Sequence, residues 1–280
     1  MIPTAFDYLA PSSLPEALDI LDEQQDAAKL LAGGHSLIPL MKLRLAAPAT
    51  VVDLRNLSEL RGISFMDGEL RIGALATHRE VASSELVSIH APALAQAASQ
   101  IGDRQVRARG TVGGSLAHND PAADLPAVML ALDAEMVVRS GMGSRTITAQ
   151  DFFRDILETA LAPNDILAEV RIKPAPRSAY AKFPNPASHY AITGVALAVQ
   201  GDGMLDSARI GVTGAAPVAF RAAAAESALA GSNLSAESIA RAAEAAYDGR
   251  ELLGDIHASA EYRAALIKVM TKRALQQLAS

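Results

Sequence analysis

Short apolar runs alternate with amphipathic stretches over the first fifty residues. Phe6-Asp7-Tyr8 has the pattern of a short strand, and Ser13-Leu14-Pro15-Glu16 carries a capping-box signature with proline in the first turn. Ala17, Leu18, Ile20 and Leu21 then recur at helical spacing. A strand over Lys29 to Ala32, a helix from Ser36 to about Arg44 carrying Leu37, Ile38, Leu40 and Met41, and a strand over Thr50 to Asp53 complete a strand and helix alternation.

From Leu60 the period shortens to two. Gly62 to Met66, an Asp67-Gly68 turn and Glu69 to Gly73 predict a hairpin, so the sheet is expected to be no longer purely parallel. Thr77-His78-Arg79-Glu80 is a second capping box, and Pro92 to Ile101 predicts a helix with Leu94, Ala97, Ala98 and Ile101 on one face. Asp124 has the look of an N-cap, with Pro126 in the first turn of a helix reaching Leu132. Strands over Glu135 to Arg139, Arg145 to Thr148 and Ile166 to Ile172 follow. Pro174-Ala175-Pro176 stops any regular element and marks a boundary. Beyond it, strands at Ala179 to Phe183, Ala191 to Gln200 and Met204 to Val212 predict a three-stranded meander, backed by helices over about Arg221 to Leu229, Ser235 to Tyr247 and Ala260 to Leu278.

Two stretches stand out from this pattern. Ala32-Gly33-Gly34-His35-Ser36 and Thr111-Val112-Gly113-Gly114-Ser115 each place paired glycines after an apolar segment, with a serine close by. Paired glycines allow positive φ and remove the Cβ, so consecutive N–H groups can turn onto an anion. Two such loops suit a ligand with two phosphates. His35 offers its N–H, and Ser36 and Ser115 offer hydroxyls. Asp120 and Asp124 follow the second loop, where turn-forming and capping roles compete with ligand contact. Lys182 alternates with Phe183, on a face that an isolated strand would turn to solvent. Arg104, Arg107 and Arg109 form a basic face able to receive a partner's acidic surface.

Composition removes several classes of function. Across 280 residues the formal charge is −6, with acidic and basic positions interspersed, so the basic stripe of a nucleic-acid protein is missing. With no cysteine there are no thiol nucleophiles and no iron–sulfur ligands on this chain, so electrons passing through it need an organic carrier. No glycine precedes a lysine, which excludes a P-loop, and Gly-x-Gly-x-x-Gly and His-Glu-x-x-His are absent. No apolar run approaches the roughly 20 residues of a membrane span, and the start lacks a secretory pattern, so a cytoplasmic protein is expected.

The two glycine stretches, the segment Asp120-Pro121-Ala122-Ala123-Asp124-Leu125-Pro126 and the run from Lys182 to Ala191 closely resemble the medium, FAD-binding subunit of molybdenum hydroxylases. The resemblance covers essentially the whole chain. It implies an α+β protein: a two-subdomain FAD-binding domain of the vanillyl-alcohol-oxidase (PCMH) type over residues 1–175, divided at about 57, and a C-terminal domain over 176–280. It implies FAD on this chain, held by Ala32, Gly33, Gly34, His35, Ser36 and Leu37, and by Thr111, Val112, Gly113, Gly114 and Ser115 through backbone N–H groups. Asp120, Asp124, Leu167 and Lys182 match family positions around the cofactor, and Ile101 and Tyr190 fall where relatives pack residues near the isoalloxazine. A lysine there would hold the negative charge that builds on a reduced flavin.

The resemblance further implies partners: a molybdopterin-binding large subunit and a small subunit with two [2Fe–2S] clusters, assembled as a dimer of heterotrimers. Electrons would pass from the clusters to this FAD and on to an acceptor such as quinone or NAD, with any membrane contact made through the partners. Phe183-Pro184-Asn185-Pro186 is uncharged where many relatives are basic, which separates this chain from them at the acceptor side. A self-contained FAD-dependent oxidoreductase is the alternative.

Overall fold

In the computed structural model, residues 2–279 are described, and the domain limits Met1 and Ser280 fall outside them. The chain builds three principal sheets. Strands β1 (Asp7–Leu9), β2 (Ala28–Leu31) and β3 (Thr50–Asp53) form a parallel sheet ordered β1-β3-β2. Helix α1 (Leu14–Gln24) crosses between the first two strands and α2 (Leu37–Leu43) between the next two. Ser13 caps α1 by accepting the Glu16 N–H. The Glu16 carboxylate reaches one residue further back than a capping box requires, to the N–H of Ser12 at 2.7 Å.

The hairpin of β4 (Ile63–Met66) and β5 (Glu69–Gly73) forms as expected, through a turn with positive φ at both Asp67 and Gly68. It does not join the parallel sheet. It opens a separate five-stranded antiparallel sheet, ordered β4-β5-β10-β6-β7, with β6 (Glu135–Ser140), β7 (Gly143–Thr148) and β10 (Ile166–Ile172). Between β5 and β6 come six helices: α3 (His78–Ser83), α4 (Glu85–His90), α5 (Pro92–Ser99), α6 (Arg104–Arg109), α7 (Val112–His118) and α8 (Leu125–Ala131). The Thr77–Glu80 capping box that starts α3 is complete in both directions. A short helix α9 (Ala149–Phe152) and the two-stranded ribbon β8 (Phe153–Asp155) and β9 (Glu158–Thr159) fill the return to β10.

Strands β11 (Ser178–Pro184), β12 (Ala191–Gln200) and β13 (Ser207–Thr213) make the expected antiparallel meander, extended at its edge by a two-residue strand β14 (Phe220–Arg221). Helices α10 (Ala223–Leu229), α11 (Ala236–Ala245) and α12 (Ala260–Ala279) cover one face. Alternation along β11 and β12 explains why β12 is buried from Ala191 to Val199 and β11 from Ser178 to Ala181. Ala179, Ala181, Val195 and Leu197 pack under these helices, whereas Tyr180, Ala196 and Ala198 pack into the main core formed with α5 and α8. Each fully buried leucine of that core, Leu94 and Leu125 among them, stabilises by about 1.5–3 kcal/mol. The face of β11 that carries Lys182 is therefore an interior seam rather than a solvent surface.

Candidate functional site

The ends of the parallel strands place the first glycine stretch, as ligand sites of such sheets generally lie beyond the carboxyl ends of their strands. β2 ends at Leu31, and Gly34 takes a φ of +78° that lets the chain turn into α2. Among the described residues, the N–H groups of Gly34, His35 and Ser36 donate to no protein acceptor. They form a short row of open donors, with the Ser36 hydroxyl making no capping bond beside them.

The second stretch meets the first directly. A Cβ built on Gly33 would run into the Arg109 carbonyl and come within 2.8 Å of the Gly110 Cα, and one built on Gly114 would lie 3.6 Å from the Ala32 Cβ. The two sequence-distant turns thus share one contact surface, and the missing side chains are what permit it.

The second stretch is nevertheless built differently from expectation. Gly113 and Gly114 are not in a loop with positive φ but in the first turn of α7, capped by Thr111. The backbone N–H groups assigned to a diphosphate are already used inside the protein. Val112 donates to the Ala76 carbonyl at 2.9 Å, Gly113 to Ala74 at 2.8 Å, and Gly114 to the Thr111 hydroxyl at 3.1 Å. The cause is the close docking of α7 on the connection after β5, where a Cβ on Gly113 would strike Ala74. What this side offers is the hydroxyls of Thr111 and Ser115 and the bare flank of Gly114. Val112 itself points into the core.

A second cluster lies at the seam between α5, α8 and β11. Asp124 precedes α8 but makes no capping bond, so the expected cap role is not observed. Its carboxylate instead pairs with the Lys182 ammonium at 2.8 Å and accepts the Tyr180 hydroxyl at 2.5 Å. Burial pushes the Asp124 carboxyl up against the pull of Lys182, and burial beside that carboxylate keeps the Tyr180 phenol protonated. Lys182 also donates to the carbonyls of Gln100 at 2.9 Å and His189 at 2.8 Å. All three ammonium protons are engaged, so this lysine acts on a neighbouring ligand through its field. Ile101 and Tyr190 directly follow two of its acceptors, Gln100 and His189, in the chain. Partial burial and the carboxylates of Asp120 and Asp124 raise the Tyr190 phenol, which places that ring near both. Asp120 also closes its own turn by accepting the Ala122 N–H.

Arg107 joins the two clusters. Its Nη1 donates to the carbonyls of Ile101 and Gly102, both at 3.0 Å, so it braces that turn. Arg109 instead edges a cleft of about 240 Å³ with Arg55, Arg61 and Arg79, in whose wall Ala32 and Thr111 also lie. Leu167 stands apart, sealed in the main core opposite Val138 where β10 bulges. A larger hollow of about 630 Å³, between residues 247–252 and α12, contains none of the expected site residues.

Sequence reasoning overlooked two groups. His78 is buried beneath Gly110, its Nδ1 is unpartnered, and desolvation, His35 and Arg107 together lower its pKa to about 4. Its place directly after a capping threonine hid it among helix signals. Tyr180 was legible, because a residue two before Lys182 on a strand shares its face.

The donors and bare cradle fit a dinucleotide: open amides and hydroxyls for phosphate, and a buried cation beyond. The fold and this donor set define a flavoprotein of the FAD-binding type. Residues 4–176 match the FAD binding domain in molybdopterin dehydrogenase, and residues 178–278 match the CO dehydrogenase flavoprotein C-terminal domain. The chain is 39% identical to the 6-hydroxypseudooxynicotine dehydrogenase complex subunit alpha of Paenarthrobacter nicotinovorans, over 98% of this chain and 95% of that one. It is 38% identical to the carbon monoxide dehydrogenase medium chain of Hydrogenophaga pseudoflava, over 98% and 97% respectively. It superimposes on a chain in the solved structure of carbon monoxide dehydrogenase from that organism with a TM-score of 0.94, at 40% identity, covering 99% of this chain and 98% of that one. The protein belongs to the FAD-binding medium subunits of the molybdenum hydroxylases.

Proposed function

We propose that this chain is the electron-transfer subunit of a three-subunit molybdenum hydroxylase, taking electrons from [2Fe–2S] clusters on a small subunit that a molybdopterin-bearing large subunit has reduced. The reading is supported above all by the contact between the two glycine turns, which leaves the amides of Gly34, His35 and Ser36 open beside the bare flank of Gly114. These amides and the hydroxyls of Ser36, Thr111 and Ser115 would hold the FAD diphosphate. Asp124, Lys182, Ile101 and Tyr190 would surround its far end, with Leu167 acting only as core behind it.

Bound FAD supplies the redox chemistry, accepting electrons and passing them to an acceptor such as quinone or NAD. The chain's residues bind and orient it. Lys182, held by three acceptors, keeps a fixed positive charge at the seam, which favours a negatively charged flavin. No cysteine is available for cluster ligation, so clusters must be carried by another chain. The FAD-binding unit would comprise residues 1–175, in subdomains divided near 57, and the C-terminal domain residues 176–280. Two trimers would pair, in the cytoplasm. No helix among the described residues is long and apolar enough to cross a membrane.

The test is to co-express the chain with the subunits encoded beside it, purify it by a tag, and assay flavin, iron and molybdenum. Flavin with iron and molybdenum is the expected result. Flavin on a chain that its own substrate reduces without partners would establish the self-contained oxidoreductase instead.

A further inference from the structure

The turn between β8 and β9 departs from the usual chemistry of a two-residue hairpin. Such turns ordinarily carry Asn, Asp or Gly, and the Asp67-Gly68 turn between β4 and β5 does so, with positive φ at both positions. Here the two residues are Ile156 and Leu157, and Leu157 takes a φ of +57°. A leucine adopts that conformation only where its surroundings hold it there. One other leucine among the described residues does so: Leu234, at +54°, which is 6% exposed and packed in the C-terminal core, where burial offsets the cost. Leu157 is 54% exposed and Ile156 48%, so packing within this chain offers no such offset.

The turn is nonetheless held firmly. Asn119, buried at the C-terminal end of α7, donates through Nδ2 to the carbonyls of Asp155 at 2.8 Å and Glu158 at 2.9 Å, and its own carbonyl accepts the Leu157 N–H at 3.2 Å. These three bonds fix the turn against the end of α7. That end adjoins the expected cofactor. α7 opens at the bare flank of Gly114 and runs about 10 Å to Asn119, a separation like that which the ribityl arm of FAD puts between diphosphate and ring. Asp120 comes next, with its carboxylate acting on the Tyr190 phenol, and the Ala122 carbonyl accepts the Ala191 N–H at 3.1 Å. The segment from Asn119 to Asp124 therefore connects the 156–157 turn to the seam that holds Lys182.

We propose that Leu157, with Ile156 beside it, is an apolar wall for the isoalloxazine ring, and that Asn119 is the positioning residue that holds this wall in place. Covering the two aliphatic side chains with the ring removes apolar surface from water and offsets the backbone cost that the flavin-free chain bears. The inference rests on the functional reading given above.

The experiment uses the co-expressed complex, stripped of flavin and titrated by equilibrium dialysis with FAD and with ADP-ribose, which has the same diphosphate and adenosine but no flavin ring. Leu157→Gly removes the side chain where glycine adopts the backbone freely, so thermal unfolding of the flavin-free protein is expected to be unchanged or higher. Its Kd for FAD is expected to rise about tenfold, equivalent to about 1.4 kcal/mol of apolar contact, with the Kd for ADP-ribose unchanged. Ile156→Ala leaves the positive-φ residue in place and is expected to weaken FAD in the same selective way. Asn119→Ala is expected to weaken FAD on its own and to add nothing to Leu157→Gly, whereas a merely structural asparagine would give additive losses. An unchanged Kd for FAD in Leu157→Gly overturns the proposal. Equal weakening of FAD and ADP-ribose would mean that the turn does not act on the ring, and iron lost from the complex with FAD affinity intact would assign the turn to the iron–sulfur subunit; either also overturns it. A wild-type complex that takes up no FAD refutes the functional reading instead, which keeps the two failures distinct.

Discussion

The Lys182 ammonium and the Asp124 carboxylate form an ion pair at 2.8 Å across the seam between the FAD-binding fold and the C-terminal sheet, their side chains 1% and 4% exposed. Because Lys182 also binds the carbonyls of Gln100 and His189, one charge fixes three chain segments, each adjacent to an expected cofactor contact. Removing one member of a sealed pair strands the other charge, at a cost of about 3–5 kcal/mol. Lys182→Met is therefore expected to lose about that much in urea unfolding, and Lys182→Met/Asp124→Asn to regain part of it. Strictly additive losses in the double variant would show that the two groups are not coupled.

The same variant should acquire a particular pH dependence. With the ammonium gone, burial acts on Asp124 unopposed and raises its carboxyl further. A carboxyl whose pKa is raised in the folded state binds more protons there than in the unfolded chain, so its contribution to stability is lost as pH rises through the raised value. Relative to wild type, Lys182→Met is expected to be less destabilised at pH 5 than at pH 8. Equal destabilisation at both would contradict an unpaired Asp124.

Tyr180→Phe removes the phenol from Asp124 while keeping the ring that fills the main core. A hydrogen bond to a charged group contributes about 1.5–3 kcal/mol, and a loss in that range is expected with flavin content retained. A larger loss accompanied by missing flavin would mean that the phenol also shapes the cofactor pocket.

The contact between the glycine turns predicts two separable defects. Gly33→Ala pushes a methyl group into the Arg109 carbonyl and must drive the turns apart, lowering both stability and flavin content. Gly114→Val brings its Cβ to 2.8 Å from the Thr111 hydroxyl, which must shift, and to 3.6 Å from the Ala32 methyl, with no backbone in the way, so it should strip flavin at a smaller cost in thermal unfolding than Gly33→Ala. Normal flavin in Gly114→Val would mean that the ligand does not pass over that flank.

Much of this organisation was legible from patterning. The Thr77–Glu80 box, the Asp67-Gly68 turn and the meander after Pro176 follow from local rules that tertiary structure left intact. The glycine pair at 113 and 114 misled, because a glycine required for close packing against Ala74 has the same sequence signature as one required for positive φ. Asp124 looked like a cap because Asp and an N1 proline usually mean one, and nothing nearby in the sequence shows a lysine 58 positions later competing for the carboxylate. Lys182 looked solvent-facing because alternation identifies two faces of a strand without saying what covers each of them.

Arg107, read from sequence as part of a basic face, is expected to act instead on the turn it braces. Arg107→Ala removes two hydrogen bonds to the carbonyls of Ile101 and Gly102, loosening the segment that sets Ile101 beside Lys182. Weakened flavin binding with unaltered subunit assembly is the expected result, measured by flavin dissociation and gel filtration of the complex. Disassembly with flavin retained would restore the partner role.

His78 supplies a titration with a defined window. Its pKa of about 4 lies below the usual 6.5, first because burial penalises the imidazolium and then because His35 and Arg107 add positive charge nearby. In the unfolded chain the ring takes a proton near pH 6.5, whereas in the folded protein it stays neutral down to about pH 4. Between those values the unfolded state binds more protons, so stability falls as pH drops from about 6.5 towards 4, by up to about 3 kcal/mol from this residue. Above pH 6.5 both states hold the ring neutral and the contribution is complete. Because His78 lies under Gly110, the acid loss should reach the junction of the two glycine turns, releasing flavin over the same interval. His78→Leu cannot titrate, so its stability should be flatter between pH 6.5 and 4 than that of the wild type. Parallel stability curves for the two proteins across that interval would show that His78 does not set the acid sensitivity.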